Sequence, residues 1–167
     1  MAKRNDRIGL GSRLVIGGIA GFVATMAMTS AMKRLHAKLP PKERYPLPPR
    51  ELTDRILAPP ATFAPDLTLA AHFAYGAGCG ALIAAANPRI GKVGGALAGG
   101  GVWLASYMGW IPALAVLKPA TQHPLRRDAL MIGVHFVWGS SMAGALQELN
   151  AARETVFGDG PDKDAAR

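Results

Sequence analysis

The sequence predicts an all-α, polytopic membrane protein with four transmembrane helices arranged as two helix hairpins of the same orientation. Three observations lead to this prediction. Four uncharged stretches each have about the length that a helix needs to cross a bilayer. Basic residues gather beside these stretches, and short motifs from the first half of the chain recur in the second half.

The four uncharged stretches contain no Lys, Arg, Asp or Glu and run from Leu14 to Met32, Leu67 to Ala86, Val93 to Leu117 and Ala129 to Gln147. A soluble helix would carry charged residues on its outward face every three or four positions, and these stretches have no such stripe. We therefore expect one transmembrane domain, residues 1–149. Its helices are predicted at about residues 12–36, 67–86, 93–117 and 129–148.

A Pro-rich connector, residues 40–66, separates the first two predicted helices, and its eight prolines exclude a continuous helix. Arg50–Leu57 is expected to form a short surface helix that places Leu52 and Ile56 in the membrane interface. A linker that covers the end of the bundle is the more common role for such a stretch. Recruitment of a partner domain is the alternative.

Both ends of the chain are polar. The first residues resemble a secretory signal, but the apolar stretch that follows is long and leads directly into Lys33 and Arg34, which favours a retained anchor over a cleaved signal. The C-terminal tail, residues 150–167, is predicted to be disordered because it is polar and ends in a run of charged residues with Gly and Pro.

The formal net charge of +8 indicates a surface that attracts anions. The basic residues cluster beside the apolar stretches, notably at Lys3, Arg4, Arg7, Lys38 and Lys42. This position favours lipid headgroups as partner over nucleic acid. The two sides of the predicted bundle carry nine and ten Lys and Arg, so the positive-inside rule does not decide the orientation.

An internal repeat is the most informative pattern in the sequence. His72–Gly76 in the second predicted helix and His135–Gly139 in the fourth both read His-Phe-small-aromatic-Gly, and Gly17–Gly21 resembles Gly94–Gly99 more weakly. These matches predict two hairpins of common origin, residues 12–86 and 91–148. A unit that crosses the membrane twice returns to the same side, so both halves share one orientation.

The repeated histidines define a candidate polar site within the membrane. His72 and His135 are expected at similar depth, with Tyr75 and Trp138 one turn further along the same helix faces. Three roles remain open. The histidines fix helix register through hydrogen bonds, relay protons or line a solute path, or bind haem or copper.

A metal site at this position has an incomplete ligand set. The weak candidates are His72, His135, Cys79 and Met142, without a carboxylate or a second thiolate. We therefore predict no metal or cofactor, and keep haem or copper as an alternative.

Glycine pairs at four-residue spacing predict close helix packing. The pairs are Gly17 with Gly21, Gly76 with Gly80, and Gly95 with Gly99.

No nucleophile elbow, P-loop, dinucleotide fingerprint, zinc spacing or paired intramembrane carboxylates occur in the sequence. The predicted role is therefore non-enzymatic, as an accessory or structural subunit of a membrane assembly. A small oligomeric transporter that uses His72 and His135 as a proton or solute conduit is the alternative, and a haem- or copper-binding membrane protein is a further one. The expected partners are the lipid bilayer and further copies of the chain or a larger membrane complex.

Several short motifs also follow one another in an order known from one family. They are Leu47-Pro48-Pro49-Arg50, His72–Gly76, Gly95–Gly99, Pro112 and His135–Trp138. In these motifs the chain resembles the YagU-like family of bacterial inner-membrane proteins over roughly residues 12–148. The resemblance implies a multi-pass inner-membrane location and carries over no catalytic residue. The chain departs from the family in a shorter first loop that contains no cysteine.

Overall fold

The computed structural model describes residues 8–158, and this range is all-α, without a strand. Its helices are α1 (Leu10–His36), α2 (Pro48–Leu57), α3 (Ala64–Ala86), α4 (Lys92–Leu104), α5 (Ile111–Ala113) and α6 (Leu125–Thr155). A π-helical turn, Ala105–Trp110, joins α4 to α5, and short 3₁₀ turns lie at Pro41–Glu43 and Ala120–Gln122. The chain from α4 through the π-helical turn to α5 is called the broken helix below.

Among the described residues, three helices, α1, α3 and α6, are long and apolar enough to cross a membrane, whereas the sequence predicted four. The predicted third helix, 93–117, is where the prediction is wrong. Its α-helical hydrogen bonding stops after Leu104, and Gly109 has non-helical angles of φ −110° and ψ −109°. Glycine tolerates such angles, and Pro112 lacks the N–H that an intact helix would direct to the carbonyl of Met108. Gly109 and Pro112 therefore weaken the α-helix at this point.

The other predicted helices start earlier than expected, and α6 also extends further. Pro65 lies in the first turn of α3 and Pro124 directly precedes α6, positions where a missing N–H costs little. Asp66 and Asp128 lie in the first turns of α3 and α6. Both helices therefore begin before the uncharged stretch that was used to predict them. The predicted disorder of residues 150–167 is wrong for 150–155, which continue α6. Residues 159–167 and the basic cluster at Lys3, Arg4 and Arg7 lie outside the described residues.

The four long segments form an open arc in the order α3, α1, α6, broken helix. α1 packs against both α3 and α6, and α4 packs against α6, but α3 and the broken helix do not pack closely along each other. At one end of the molecule, Arg13 donates to the carbonyl of Ala85 (3.2 Å) and Asn150 to that of Pro88 (3.1 Å). The start of α1, the α3–α4 loop and the end of α6 therefore share this end.

Backbone contacts at glycines bring the packed helices together. A Cβ at Gly21 would clash with the carbonyl oxygen of Gly76, and one at Gly80 with that of Gly17. Between α4 and α6, a Cβ at Gly95 would clash with the carbonyl oxygen of Gly139, and one at Gly99 with that of His135. The structure thus places all six predicted packing glycines at helix contacts, and adds Gly139.

The largest core cluster lies between α1 and α6. It contains Ala20, Ala24, Met28, Val134 and Met142. Many large apolar side chains point away from this core and are exposed, among them Val15, Ile19, Phe22, Met26, Leu82, Leu97 and Leu104. Such a surface is unfavourable in water and ordinary against lipid chains. The fold is therefore that of a helical membrane protein.

The Pro-rich connector is held against the start of α6 by Arg127. This arginine is only 4% exposed and donates to the carbonyl oxygens of Glu43, Tyr45 and Pro46 at 2.8–2.9 Å. Its guanidinium also lies 3.5 Å from the centre of the Tyr45 ring. The three carbonyl dipoles and the aromatic face compensate for the loss of hydration. The connector thereby covers one end of the arc, with α2 packed on α3.

Candidate functional site

A cavity of about 250 Å³ occupies the gap between α3 and the broken helix. Residues from α1, α2, α3, the broken helix and α6 line it, and none of them is charged. Tyr75 and Trp110 line the cavity and are also 45% and 37% exposed, with ring centres 6.3 Å apart. The gap between these two side chains is called the mouth below. Ile56 and Leu57 of α2 also line the cavity and are 54% and 52% exposed, so the cavity reaches the surface beside α2 as well.

The structure brings His72, His135, Tyr75 and Trp138 together in the wall of this cavity. His135 places Nδ1 2.7 Å from the carbonyl oxygen of Met131, so Nδ1 carries the proton and donates. That tautomer leaves Nε2 of His135 as an acceptor. By contrast, Nε2 of His72 is buried and has no hydrogen-bond partner within the described residues.

Tyr75 connects the two sides of the mouth. The hydroxyl of Ser106 donates to the carbonyl of Val102 (2.8 Å), so the hydroxyl of Tyr75 donates to Oγ of Ser106, also at 2.8 Å. Tyr75 belongs to α3 and Ser106 to the π-helical turn. This hydrogen bond thus joins the π-helical turn to α3 where the two elements do not pack closely.

Trp138 has a packing role at the inner wall. Its indole N–H lies 3.2 Å from both the carbonyl oxygen of Gly21 and Oγ1 of Thr25. Trp138 is 2% exposed, so this contact links α6 to α1 in the middle of the core.

Tyr107 is a residue of the site that lies outside the predicted set. It lines the cavity, is 4% exposed, and its hydroxyl has no hydrogen-bond partner in the part of the chain that the structure describes. The ring stacks on Trp103, with centres 5.9 Å apart and an interplanar angle of 12°. In the sequence, Trp103, Tyr107 and Trp110 are spaced so that they share one helix face, and this aromatic stripe is the pattern that points to Tyr107.

The weak metal-ligand set does not assemble. Cys79 lines the cavity with His72 and His135, but Met142 is fully buried in the α1–α6 core, one turn beyond Trp138, and is not part of the wall. Over residues 8–158, no group of three or more His, Cys, Asp or Glu could hold a metal ion. The cavity instead combines apolar walls with a few hydrogen-bonding groups.

Comparison with protein-family models, curated proteins and solved structures finds no match. The resemblance to the YagU-like family therefore stays a prediction, and function is argued from the geometry alone.

Proposed function

We propose that the chain is a non-enzymatic subunit of the bacterial inner membrane that crosses the bilayer four times and holds a small, largely apolar molecule in its cavity. The observation that carries this proposal is the uncharged cavity between α3 and the broken helix, whose mouth opens among exposed apolar residues. Apolar pockets with a few hydrogen-bonding groups are the usual form of small-molecule sites. The location in the inner membrane rests on the resemblance to the YagU-like family.

The broken helix supplies the fourth crossing in this proposal. Apart from Gly109, residues Lys92 to Ala113 are helical, and no charge interrupts Val93–Leu117. Non-α backbone is tolerated at membrane depth where it lines a cavity. The π-helical turn does so through Ser106, Tyr107 and Trp110.

The glycine contacts support two hairpins of common origin and equal orientation. Gly21 meets Gly76 in the first hairpin as Gly95 meets Gly139 in the second. Gly76 and Gly139 hold the same place in the two His-Phe motifs. By these contacts, Gly21 of the first hairpin corresponds to Gly95 of the second. The short sequence match instead aligns Gly21 with Gly99, four residues further along.

Binding is a better account of the cavity than conduction. Toward the end of the molecule where α1 starts, the core beyond Trp138 is closed by Ala84, Met142 and Leu146, each at most 1% exposed. A conduit through one copy would need polar groups along this path. The volume also speaks against haem, because the cavity of about 250 Å³ is smaller than the pockets of roughly 300–1,000 Å³ that hold drug-sized ligands.

The test compares two Ala→Phe variants on the same helix. Ala71 lines the cavity, whereas Ala74, three residues later, is exposed. The protein is purified from membranes in mild detergent, and native mass spectrometry records retained small molecules. We expect a bound molecule in wild type and in Ala74→Phe, and its loss in Ala71→Phe at unchanged helicity.

Thiol labelling gives a second readout, because Cys79 is the only cysteine and lines the cavity. Ethylmaleimide should label Cys79 more slowly in Ala71→Phe than in wild type. A cysteine at the fully buried Ala84, in a Cys79→Ala background, should stay unlabelled. If Cys79 is labelled at the same rate in both Ala→Phe variants, and native mass spectrometry finds the same bound mass in both, the cavity is not a binding site.

A further inference from the structure

We propose that the molecule held in the cavity is a neutral ring compound with acceptor oxygens on opposite sides, of the quinone class, which enters from the bilayer between Tyr75 and Trp110. This inference rests on the proposed binding function and adds the chemical class of the ligand.

Two buried hydrogen-bonding atoms without partners carry the inference. Nε2 of His72 and the hydroxyl of Tyr107 belong to residues that line the cavity, and neither has a hydrogen-bond partner among residues 8–158. Such atoms are rare in native proteins because they lose their hydration without compensation. A plain hydrocarbon chain in the cavity would leave both of them unpaired. A ligand with acceptor oxygens would satisfy them.

These two residues belong to different elements of the cavity wall, which favours a ligand with more than one acceptor oxygen. His72 belongs to α3 and Tyr107 to the broken helix, so they stand on the two sides of the gap. One acceptor oxygen would meet one wall, and a second oxygen across a rigid ring would meet the other. The paired carbonyl groups of a quinone have this arrangement.

Size and wall composition agree with a ring. A cavity of about 150 Å³ accommodates benzene, so one of about 250 Å³ has room for a substituted ring. Trp110, Tyr107 and Trp138 provide aromatic surfaces against which a flat ring packs. An alkyl or isoprenoid tail would leave through the mouth between Tyr75 and Trp110, both of which are partly exposed.

The absence of charge in the wall selects a neutral ligand. None of the lining residues is Asp, Glu, Lys or Arg. A phosphate or carboxylate headgroup would be desolvated there without a counter-charge, which is unfavourable. A phospholipid headgroup therefore does not fit, although a quinone ring does.

The test uses a fully ring-substituted decyl-benzoquinone, which has no free ring position for attack by the thiol of Cys79. Trp110 and Trp138 line the cavity, and Trp103, the third tryptophan, stacks on Tyr107. Titration into detergent-solubilised protein should quench tryptophan fluorescence saturably in wild type. In Ala71→Phe, quenching should only rise in proportion to the quinone dissolved in the micelle.

His72→Phe and Tyr107→Phe should each weaken quinone binding by roughly three- to tenfold, as expected for one lost hydrogen bond. Tyr107→Phe also has a signature that a structural role would not produce. Without ligand, its melting temperature should equal or exceed that of wild type, because an unpaired buried hydroxyl is removed. With quinone, its melting temperature should rise less than that of wild type.

Decylbenzene, which has the same tail and no oxygen, separates the two proposals. If decylbenzene and the quinone raise the melting temperature equally, and Tyr107→Phe changes neither shift, the cavity binds apolar molecules but the quinone inference is wrong. If neither compound shifts wild type relative to Ala71→Phe, the quinone inference and the binding function both fail. A shift by the quinone alone that Tyr107→Phe reduces supports both.

Discussion

The hydroxyl of Tyr75 on α3 donates to Oγ of Ser106 on the π-helical turn at 2.8 Å, across a gap where the two helices do not pack closely. The cavity mouth is thus held by side chains rather than by a helix interface.

Replacement of Tyr75 by Phe should loosen the mouth. The variant loses one hydrogen bond, worth about 1 kcal/mol, but keeps the ring contact with Trp110. Labelling of Cys79 with ethylmaleimide should therefore become faster than in wild type. Tyr45→Phe is the control, because Tyr45 belongs to the connector and does not line the cavity. An unchanged rate in Tyr75→Phe would mean that ligands enter by another route.

Replacement of Gly21 by Ala should disrupt the packing of α1 on α3. The new methyl group would clash with the carbonyl oxygen of Gly76, and overpacking of this kind costs about 1–3 kcal/mol. Gly78 is the matched control, because a Cβ there meets open space in the same helix pair. Gly78→Ala should be neutral or stabilising, since alanine favours helix. Thermal unfolding followed by circular dichroism measures both, and similar melting temperatures would contradict the observed helix contact.

Replacement of Arg127 by Met should release the connector from the bundle. The variant loses three hydrogen bonds from a charged donor, each worth about 1.5–3 kcal/mol. Trypsin should then cleave faster after Arg44, which lies beside the three acceptor carbonyls. Arg126→Met is the control, because Arg126 is exposed and precedes Arg127 directly. If both variants resist trypsin as wild type does, the guanidinium contacts do not hold the connector.

The break in the third predicted helix illustrates what local sequence does and does not predict. Gly99-Gly100-Gly101, Gly109 and Pro112 are all visible in the sequence and mark a weak helix. Whether such a stretch kinks, unwinds or stays helical depends on the neighbours that accept its freed groups. Here the π-helical turn brings Ser106 to Tyr75, a residue 31 positions away in the chain.

By itself, the sequence determined the helical class, the approximate position of α1, α3 and α6, and the glycines at helix contacts. The length of an uncharged stretch and the size of a side chain can both be read directly from the sequence. Only the tertiary structure decided the rotation of each helix and hence the membership of the site. It placed Met142 in the core, away from the histidines, turned Tyr107 into the cavity, and made α2 part of the cavity wall. These outcomes follow from contacts between residues far apart in the chain, on which hydropathy and spacing carry no information.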